Sequence, residues 1–263
     1  MVVGLVGAGN MAAALALGWS SAETGPDRIV LSDLDTERAR ALADRTGAST
    51  AGSNRELAEQ ADVLVLATKP AALGAVAEQT RVAVHEQDIP VVSILGAVPT
   101  TAIEQAYGEG TAVLRFMPNV AAEVRAGTFC YTSGSSIDDA TLRSLLDLFG
   151  LLGEVIPVEE RLMDAATAIS GCGPAFFALV VESLTDAGVR QGLDARQAAI
   201  LARTTMAGTA ELLRRRDAVS LRRAVTSPGG VTAAGVARLE EYKLRAAFGA
   251  AVESVVEKAG GGR

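Results

Sequence analysis

Histidine, tryptophan and cysteine are scarce in this chain of 263 residues: His85, Trp19, Cys130 and Cys172 are the only ones. A single histidine excludes a histidine-rich metal centre and argues against a Ser-His-Asp triad. Two cysteines without paired spacing form neither a disulfide framework nor a zinc site. We therefore predict that the chain binds no metal and works in a reducing cytoplasm.

Basic residues are also in deficit, with 24 Lys and Arg against 31 Asp and Glu, a net charge of -7 and a pI near 4.9. A nucleic-acid-binding face needs excess positive charge to displace counterions, so we predict no nucleic-acid partner. A local pocket on an acidic protein can still attract a small anion.

Long apolar runs are missing too. No stretch reaches the ~18 apolar residues of a membrane-spanning helix, and we predict no membrane partner. The apolar N-terminus lacks a basic region and glycines interrupt it early, so it is interpreted as folded structure and not as a signal peptide. With 49% hydrophobic and only 4% aromatic residues, the composition predicts a globular core of Ala, Val, Leu and Ile.

Short apolar runs alternate with helical patterns through the first part of the chain. Apolar runs of this length are typical of buried parallel strands, and strands separated by helices imply right-handed crossovers. We therefore predict an α/β fold with a Rossmann-type, doubly wound parallel sheet. The predicted strands are residues 2–6, 28–33, 62–67, 91–95, 112–117 and 154–158.

The pattern changes near Glu159, after which helical patterns dominate and strands are almost absent. We predict two domains, a dinucleotide-binding Rossmann domain at 1–158 and an all-helical domain at 159–263. The glycine-rich tail at 260–263 is expected to fray. The predicted helices of the second domain are residues 160–169, 175–191, 195–214, 221–225 and 242–258, with a further helix after the loop at 227–232.

A glycine-rich loop follows the first strand and opens a helix, in the pattern G-x-G-x-x-G/A. Gly7 permits the tight turn, Gly9 lets the backbone approach a pyrophosphate, and Ala12 keeps the helix close to the strand. The N-terminus of the helix then supplies N–H groups to the phosphates. We predict an NADH or NADPH site here, contacted by Gly7, Ala8, Gly9, Asn10 and Met11.

Asp33 ends the second strand, where a carboxylate commonly binds the adenosine ribose. Such a carboxylate repels a 2′-phosphate and favours NADH. Alternatively, Asp33 or Asp35 caps the helix that begins near Thr36. NADPH is an alternative cofactor as well, because three polar residues could form a site for its 2′-phosphate. These are Ser32, Arg38 and Asn54.

Asparagine and lysine are rare, and several of them follow predicted strands. Asn10 lies in the glycine loop, Asn119 follows the strand ending at Met117, and Lys69 follows another strand. Ligands of doubly wound sheets bind at the carboxyl ends of the strands. The alternatives are solvent exposure for Lys69 and a capping role for Asn54. The further predicted cofactor contacts are Asn54, Ala67, Thr68, Lys69, Pro70, Ala97 and Asn119.

Two glycine-rich segments mark the helical region. Residues 170–175 (SGCGPA) end one helix and begin another, with Pro174 near the first turn. Residues 227–232 (SPGGVT) precede a helix and could form a nest of N–H groups suited to a carboxylate. The alternative is that these glycines simply end helices.

Five segments together resemble the pyrroline-5-carboxylate reductase family. They are GAGNM at 7–11, LATKP at 66–70, RFMPN at 115–119, SGCGPAFFALVVESLTDAGVRQGL at 170–193 and AVTSPGGVT at 224–232. The resemblance spans almost the whole chain in the right order. It implies reduction of the cyclic imine Δ1-pyrroline-5-carboxylate to L-proline by hydride from NADPH or NADH. It also implies a helical domain that dimerises, with decamers as a larger assembly.

The resemblance assigns the substrate contacts to the two glycine-rich segments, and Thr232 matches the family threonine near the imine nitrogen. Two departures from the family leave the substrate open: Cys172 replaces a serine, and Val120-Ala121 replace Thr-Pro. The implied substrate contacts are Cys172, Ser227, Gly229, Gly230, Val231 and Thr232, with Thr232 as the catalytic residue.

Three alternatives accompany this interpretation. The first is a related reductase of another cyclic imine carboxylate. The second is a 2-hydroxyacid-type reductase, disfavoured because the helical region has only the late lysines Lys243 and Lys258. The third is a non-enzymatic protein, which would not need the 227–232 loop intact. His85 lies in a helical pattern away from the predicted crevice and is interpreted as structural.

Overall fold

Within residues 1–260, eight strands, numbered β1 to β8 in chain order, form one sheet in which they lie side by side in the order β3-β2-β1-β4-β5-β6-β7-β8. Neighbouring strands are parallel except β6 and β7. This computed structural model describes residues 1–260, so the end of the tail that we expect to fray lies outside it. The strands are β1 (Val2–Val6), β2 (Arg28–Ser32), β3 (Ser49–Thr50), β4 (Val63–Leu66), β5 (Val91–Ser93), β6 (Val113–Met117), β7 (Gly127–Ser133) and β8 (Gly153–Pro157).

The predicted doubly wound parallel sheet is therefore confirmed, except that β6 and β7 form an antiparallel pair. In that pair Phe116 lies opposite Tyr131, and Met117 lies opposite Cys130. The strands β3 and β7 were not predicted. The strand β7 reads GTFCYTS, in which polar and apolar residues are mixed. It was missed because the strands were identified from continuous apolar runs, which β7 lacks.

Seven α-helices of the described residues pack with these strands. Five of them overlap the helical patterns of the sequence at 13–19, 36–43, 54–60, 72–84 and 160–169, whereas the helices at Thr100–Tyr107 and Asp139–Gly150 were not predicted. Shorter helical turns occur at Pro70–Ala72, Val120–Val124 and Glu160–Leu162, and a π-helical turn occurs at Thr167–Gly171. The helices are α1 (Asn10–Ser20), α2 (Thr36–Thr46), α3 (Asn54–Ala58), α4 (Leu73–Glu86), α5 (Thr100–Tyr107), α6 (Asp139–Gly150) and α7 (Met163–Ala166).

Different helices cover the two faces of the sheet, and alternate residues of β4 show why. Val63 and Val65 pack in one core with α1, α2 and α6, whereas Leu64 and Leu66 pack in another with α3, α4 and α5. Successive side chains of a strand point to opposite faces, so a strand buried on both faces must be apolar throughout. This is the pattern from which the strand was predicted.

The described chain divides by packing into two compact units, residues 1–172 together with 255–260, and Gly173–Ser254. The segment 159–172 thus packs with the sheet, and the functional boundary after Val158 stays a prediction. The remaining helices are α8 (Gly173–Arg190), α9 (Ala195–Leu213), α10 (Ala218–Ala224), α11 (Val231–Glu241) and α12 (Leu244–Gly260).

The helices α8 and α9 pack closely against each other in the second unit. A Cβ placed on Gly188 would lie 3.2 Å from the Cβ of Ala198, which shows how near the two backbones are. The helices predicted for this region are confirmed within a few residues at their ends.

One expectation about membranes needs correction. Within residues 1–260, the helical segment Glu160–Arg190 is long and apolar enough, by length and composition only, to cross a bilayer. The segment is not one continuous apolar run, because charged residues such as Asp164 and Glu182 interrupt it. Core helices of soluble proteins meet the same criterion, so the segment is weak evidence for a membrane.

Candidate functional site

The glycine loop between β1 and α1 has the geometry that its sequence predicts. Gly7 has φ +104°, and a Cβ there would lie 2.6 Å from the backbone oxygen of Ala67. Glycine is therefore required at this position by conformation and by space. At Gly9, by contrast, no atom of the described chain beyond the adjoining residues lies within 4 Å of the Cβ position, so this side of the loop is open to a ligand.

The N-terminus of α1 has free hydrogen-bond donors. Gly9 occupies the N-cap position, no side chain caps the helix, and its first turn contains no acidic residue. The first N–H groups of a helix have no partner within it, and together with the helix dipole they attract an anion. Ala12 is fully buried, as the fingerprint requires. These residues fit the pyrophosphate of a dinucleotide.

Asp33 fastens this loop to β2 and α2. Its Oδ2 accepts hydrogen bonds from the Ala8 N–H at 2.7 Å and from Arg38 Nε at 3.3 Å. Its Oδ1 accepts from the Asp35 N–H at 2.9 Å and from Arg38 Nη2 at 2.7 Å. Burial tends to raise the pKa of Asp33, but these hydrogen bonds outweigh it and hold the pKa below its usual 3.8.

The structure shows which residues cap the N-termini of α2 and α3. Asp35, and not Asp33, caps α2, because its Oδ1 accepts the Arg38 N–H at 3.0 Å. Ser53, and not Asn54, caps α3. The capping role considered for Asp35 is thus confirmed, whereas the one considered for Asn54 is wrong.

Asn54 instead extends a polar chain that begins at β2. Its Oδ1 accepts the hydroxyl of the buried Ser32 at 2.8 Å, and its Nδ2 donates to Gln79 Oε1 at 2.7 Å. The predicted cofactor residues Ser32 and Asn54 are therefore brought together next to the carboxyl end of β2. Their contact with a cofactor stays a prediction.

The segments after β4 and β5 supply the other predicted cofactor residues. Ala67 continues the sheet, with its N–H donating to Val6 O at 2.8 Å, and Thr68 follows it. Lys69 is exposed before the turn Pro70–Ala72 and takes part in none of the ion pairs formed by residues 1–260. Ala97 is exposed with φ +57°, a left-handed conformation that is uncommon for alanine.

Asn119 joins two of the sequence motifs. Only 8% of this residue is exposed, its Nδ2 donates to Ser170 O at 3.0 Å, and its Oδ1 accepts the Thr128 N–H at 3.2 Å. Cys130 Sγ lies 3.6 Å from Ser170 Oγ. The amide thus holds Ser170, the first residue of SGCGPA, next to β7, and a cofactor contact of Asn119 stays a prediction.

Sequence reasoning missed a polar cluster around Arg115. This residue is 3% exposed and forms an ion pair with Glu160, whose Oε2 accepts the hydroxyl of Thr100 at 3.0 Å and its N–H at 3.4 Å. The signal was an arginine inside the otherwise apolar strand β6, since a buried charge requires a partner. The cluster links the start of α5 to the segment that leads into the SGCGPA motif.

The second unit presents the other glycine-rich loop, Ser227–Thr232. Gly229 has φ +70°, and Gly230 is the N-cap of α11 with no side-chain cap. Val231 is 91% exposed and Thr232 is exposed as well. The loop therefore offers free N–H groups at a helix N-terminus, as a carboxylate site would.

Cys172 and His85 occupy less prominent positions. Cys172, at the end of the first unit, is half-buried and donates its N–H to Thr167 O at 3.0 Å. His85 lies on α4, where its Nε2 is 2.7 Å from Tyr107 O. In the described part of the chain, no group of three His, Cys, Asp or Glu side chains could hold a metal ion.

Fold and site together define an NAD(P)H-dependent oxidoreductase. Two family models match the chain: "NADP oxidoreductase coenzyme F420-dependent" at residues 2–96 and "Pyrroline-5-carboxylate reductase dimerisation" at residues 160–261. Curated pyrroline-5-carboxylate reductases from Methanosarcina acetivorans and Mycobacterium leprae are each 35% identical to it. They align over 97% and 96% of this chain, and 96% and 93% of their own length. The chain belongs to the pyrroline-5-carboxylate reductase family.

Solved structures agree. The chain is similar to a Coxiella burnetii pyrroline-5-carboxylate reductase, with a TM-score of 0.89, 32% identity, and coverage of 98% of this chain and 96% of the other. It is also similar to a Plasmodium falciparum pyrroline carboxylate reductase with NADP bound, with a TM-score of 0.86, 31% identity, and coverage of 98% and 97%.

Proposed function

We propose that this protein reduces Δ1-pyrroline-5-carboxylate to L-proline with hydride from NADPH or NADH, the last step of proline biosynthesis. The observation that carries the proposal is the similarity to reductases of this name over 97% of the chain. The glycine loop at 7–12 and the loop Ser227–Thr232 support it, because each offers N–H groups to an anion of the kind that the reaction requires.

The first unit would hold the dinucleotide. The N–H groups of residues 9–11 at the start of α1 bind its pyrophosphate, and the segments after β2, β4 and β5 line the rest of the site. Bound there, the reduced nicotinamide supplies the hydride. Asn119 contributes by holding Ser170, the first residue of SGCGPA, in place.

The loop Ser227–Thr232 would hold the substrate. The N–H groups at the N-terminus of α11 bind the carboxylate, helped by the dipole of the helix. The Thr232 hydroxyl would lie near the ring nitrogen and donate a hydrogen bond to it as hydride addition restores the nitrogen lone pair. A hydroxyl is a weak acid at neutral pH, so the imine reacts as its iminium. Hydride then adds to the imine carbon, and the nitrogen keeps its proton and regains its lone pair.

Self-association follows from the apolar surface of the second unit. Large apolar side chains that a single chain leaves exposed include Phe177, Leu179, Leu184, Leu201, Leu239 and Tyr242. Such a surface is typical of a subunit interface. We propose that residues 159–263 form a substrate and dimerisation domain, that decamers are a larger assembly of these dimers, and that the enzyme works in the cytoplasm.

The test is cofactor oxidation, followed by the loss of reduced-nicotinamide absorbance with pyrroline-5-carboxylate as substrate. The assay is run with NADPH and with NADH. Substrate-dependent oxidation that yields proline is expected, and its absence with both cofactors would refute the proposal.

A second candidate is a reductase of a different cyclic imine carboxylate. It is favoured by Cys172 and by Val120-Ala121, which depart from the family pattern. The same assay with a six-membered ring imine carboxylate separates the two candidates. A higher kcat/KM on that ring than on the five-membered ring would establish the second one.

A further inference from the structure

Asp33 has no lone pair to spare for a ribose. Each oxygen of its carboxylate accepts two hydrogen bonds, which come from the N–H groups of Ala8 and Asp35 and from two nitrogens of Arg38. A carboxylate offers about four acceptor sites, so all of them are used. The Asp33 side chain is also only 8% exposed. Ribose hydroxyls could donate to it only by displacing one of these four hydrogen bonds.

The charge of Asp33 is compensated as well. Its salt bridge with Arg38 cancels the repulsion by which a carboxylate at this position would exclude a 2′-phosphate. Asp35 and Glu37 lie on the same turn but are exposed, so water and salt screen them. The rule that a carboxylate after the second strand favours NADH therefore lacks its physical basis here.

Arg38 retains donors of its own. Its side chain is 51% exposed, and only its Nε and Nη2 donate to Asp33. A guanidinium has five N–H groups in a fixed plane, and this geometry matches phosphate oxygens. Since Asp33 holds the guanidinium in place, its remaining N–H groups are oriented before any ligand arrives.

We infer that Arg38, held by Asp33, binds the 2′-phosphate of NADPH and is the residue that makes this protein prefer NADPH to NADH. The inference rests on the proposed function, because it assumes that a nicotinamide dinucleotide occupies the glycine loop. Asp33 is then a positioning residue that holds both Arg38 and the Ala8 amide, and it makes no contact with the ribose.

The test is the binding of NADP⁺ and NAD⁺ to the full chain by isothermal titration calorimetry. Arg38→Ala should weaken NADP⁺ binding by about 10- to 100-fold, the loss expected for hydrogen bonds between charged groups, and leave NAD⁺ nearly unchanged. The matched control is Arg40→Ala, an exposed arginine on the same helix, which should alter neither affinity. Arg38→Gln, which keeps a donor for Asp33, is the second variant and should show the same selective loss.

The salt dependence of cofactor binding is an independent test. NADP⁺ binding to the unaltered protein should weaken more steeply with added NaCl than NAD⁺ binding, and Arg38→Ala should abolish this difference. Equal loss of both affinities would mean that Arg38 acts only through the loop, and no loss would mean that it does not face the phosphate. Either outcome would overturn the inference. Binding needs no imine substrate, so a failure of turnover would count against the proposed function alone.

Discussion

The side-chain amide of Asn119 donates to the backbone carbonyl of Ser170 across 3.0 Å, joining two motifs that lie 51 residues apart in the chain. The same side chain accepts the N–H of Thr128 on β7. An asparagine that follows a strand at the ligand edge of a sheet would ordinarily be assigned to the ligand. Here its nitrogen and its oxygen both hold protein backbone.

Replacing Asn119 should therefore destabilise the protein even without a ligand. Asn119→Ala leaves the half-buried Ser170 carbonyl and Thr128 N–H without this partner, and we expect a total cost of about 1–3 kcal/mol. The free energy of unfolding in urea measures the effect. Asn10→Ala, at an exposed position, is the matched control and should change stability by less than ~0.5 kcal/mol. Equal effects at the two positions would contradict the structural role.

Glu160 should matter more for stability than its exposed neighbour Glu159. Glu160→Gln leaves the charge of Arg115 buried without its counter-ion, and breaking a buried pair costs about 3–5 kcal/mol. Because Glu160 is 34% exposed, we expect the lower end of this range. Glu159→Gln removes an exposed pair with Arg161 and should cost at most ~1 kcal/mol. The difference between the two unfolding free energies is the measurement, and a difference near zero would show that water satisfies Arg115.

Asp33 should contribute stability that depends on pH. Its pKa is lower in the folded chain than the ordinary value, so the contribution is present above about pH 4 and is lost as the pH falls through the folded pKa. The difference in melting temperature between the unaltered protein and Asp33→Asn should shrink from pH 7 to about pH 3. The control is Asp44→Asn, at an exposed position on α2, which should change the melting temperature only slightly at neutral pH. If the melting-temperature difference between the unaltered protein and Asp33→Asn grew on acidification, the ionised Asp33 would not stabilise the fold.

Thr232→Ala should lower kcat and leave NADP⁺ binding unchanged. The hydroxyl is proposed to donate one hydrogen bond to the reacting ring, and the loss of such a bond costs about 10-fold or somewhat more in rate. Steady-state kinetics and NADP⁺ titration measure the two effects. Thr226→Ala is the control, because that hydroxyl is already bonded to Arg222 O at 2.7 Å and should be dispensable for the chemistry. If cofactor affinity fell as far as kcat, Thr232 would not have the proposed role.

The sequence by itself determined the features that depend on near neighbours in the chain. The run Val63–Leu66 predicted a strand buried on both faces, because such a strand must be apolar throughout. The glycines of the 7–12 loop predicted its turn, because Gly7 adopts a backbone conformation that other residues avoid. The few asparagine and lysine residues, several of which follow strands, likewise predicted binding loops at the carboxyl ends of those strands.

The tertiary structure decided which side chains meet, because those distances depend on how separate segments pack. The donors to Asp33 come from the glycine loop and from α2, so its use as an anchor was invisible in the sequence. Ser170, which accepts from Asn119, lies 51 residues further along the chain, and Glu160, the partner of Arg115, lies 45 residues further along. Local pattern identifies the residues that can do the chemistry. Only the packed sheet determines which of their donors and acceptors are already used, and therefore which remain for a ligand.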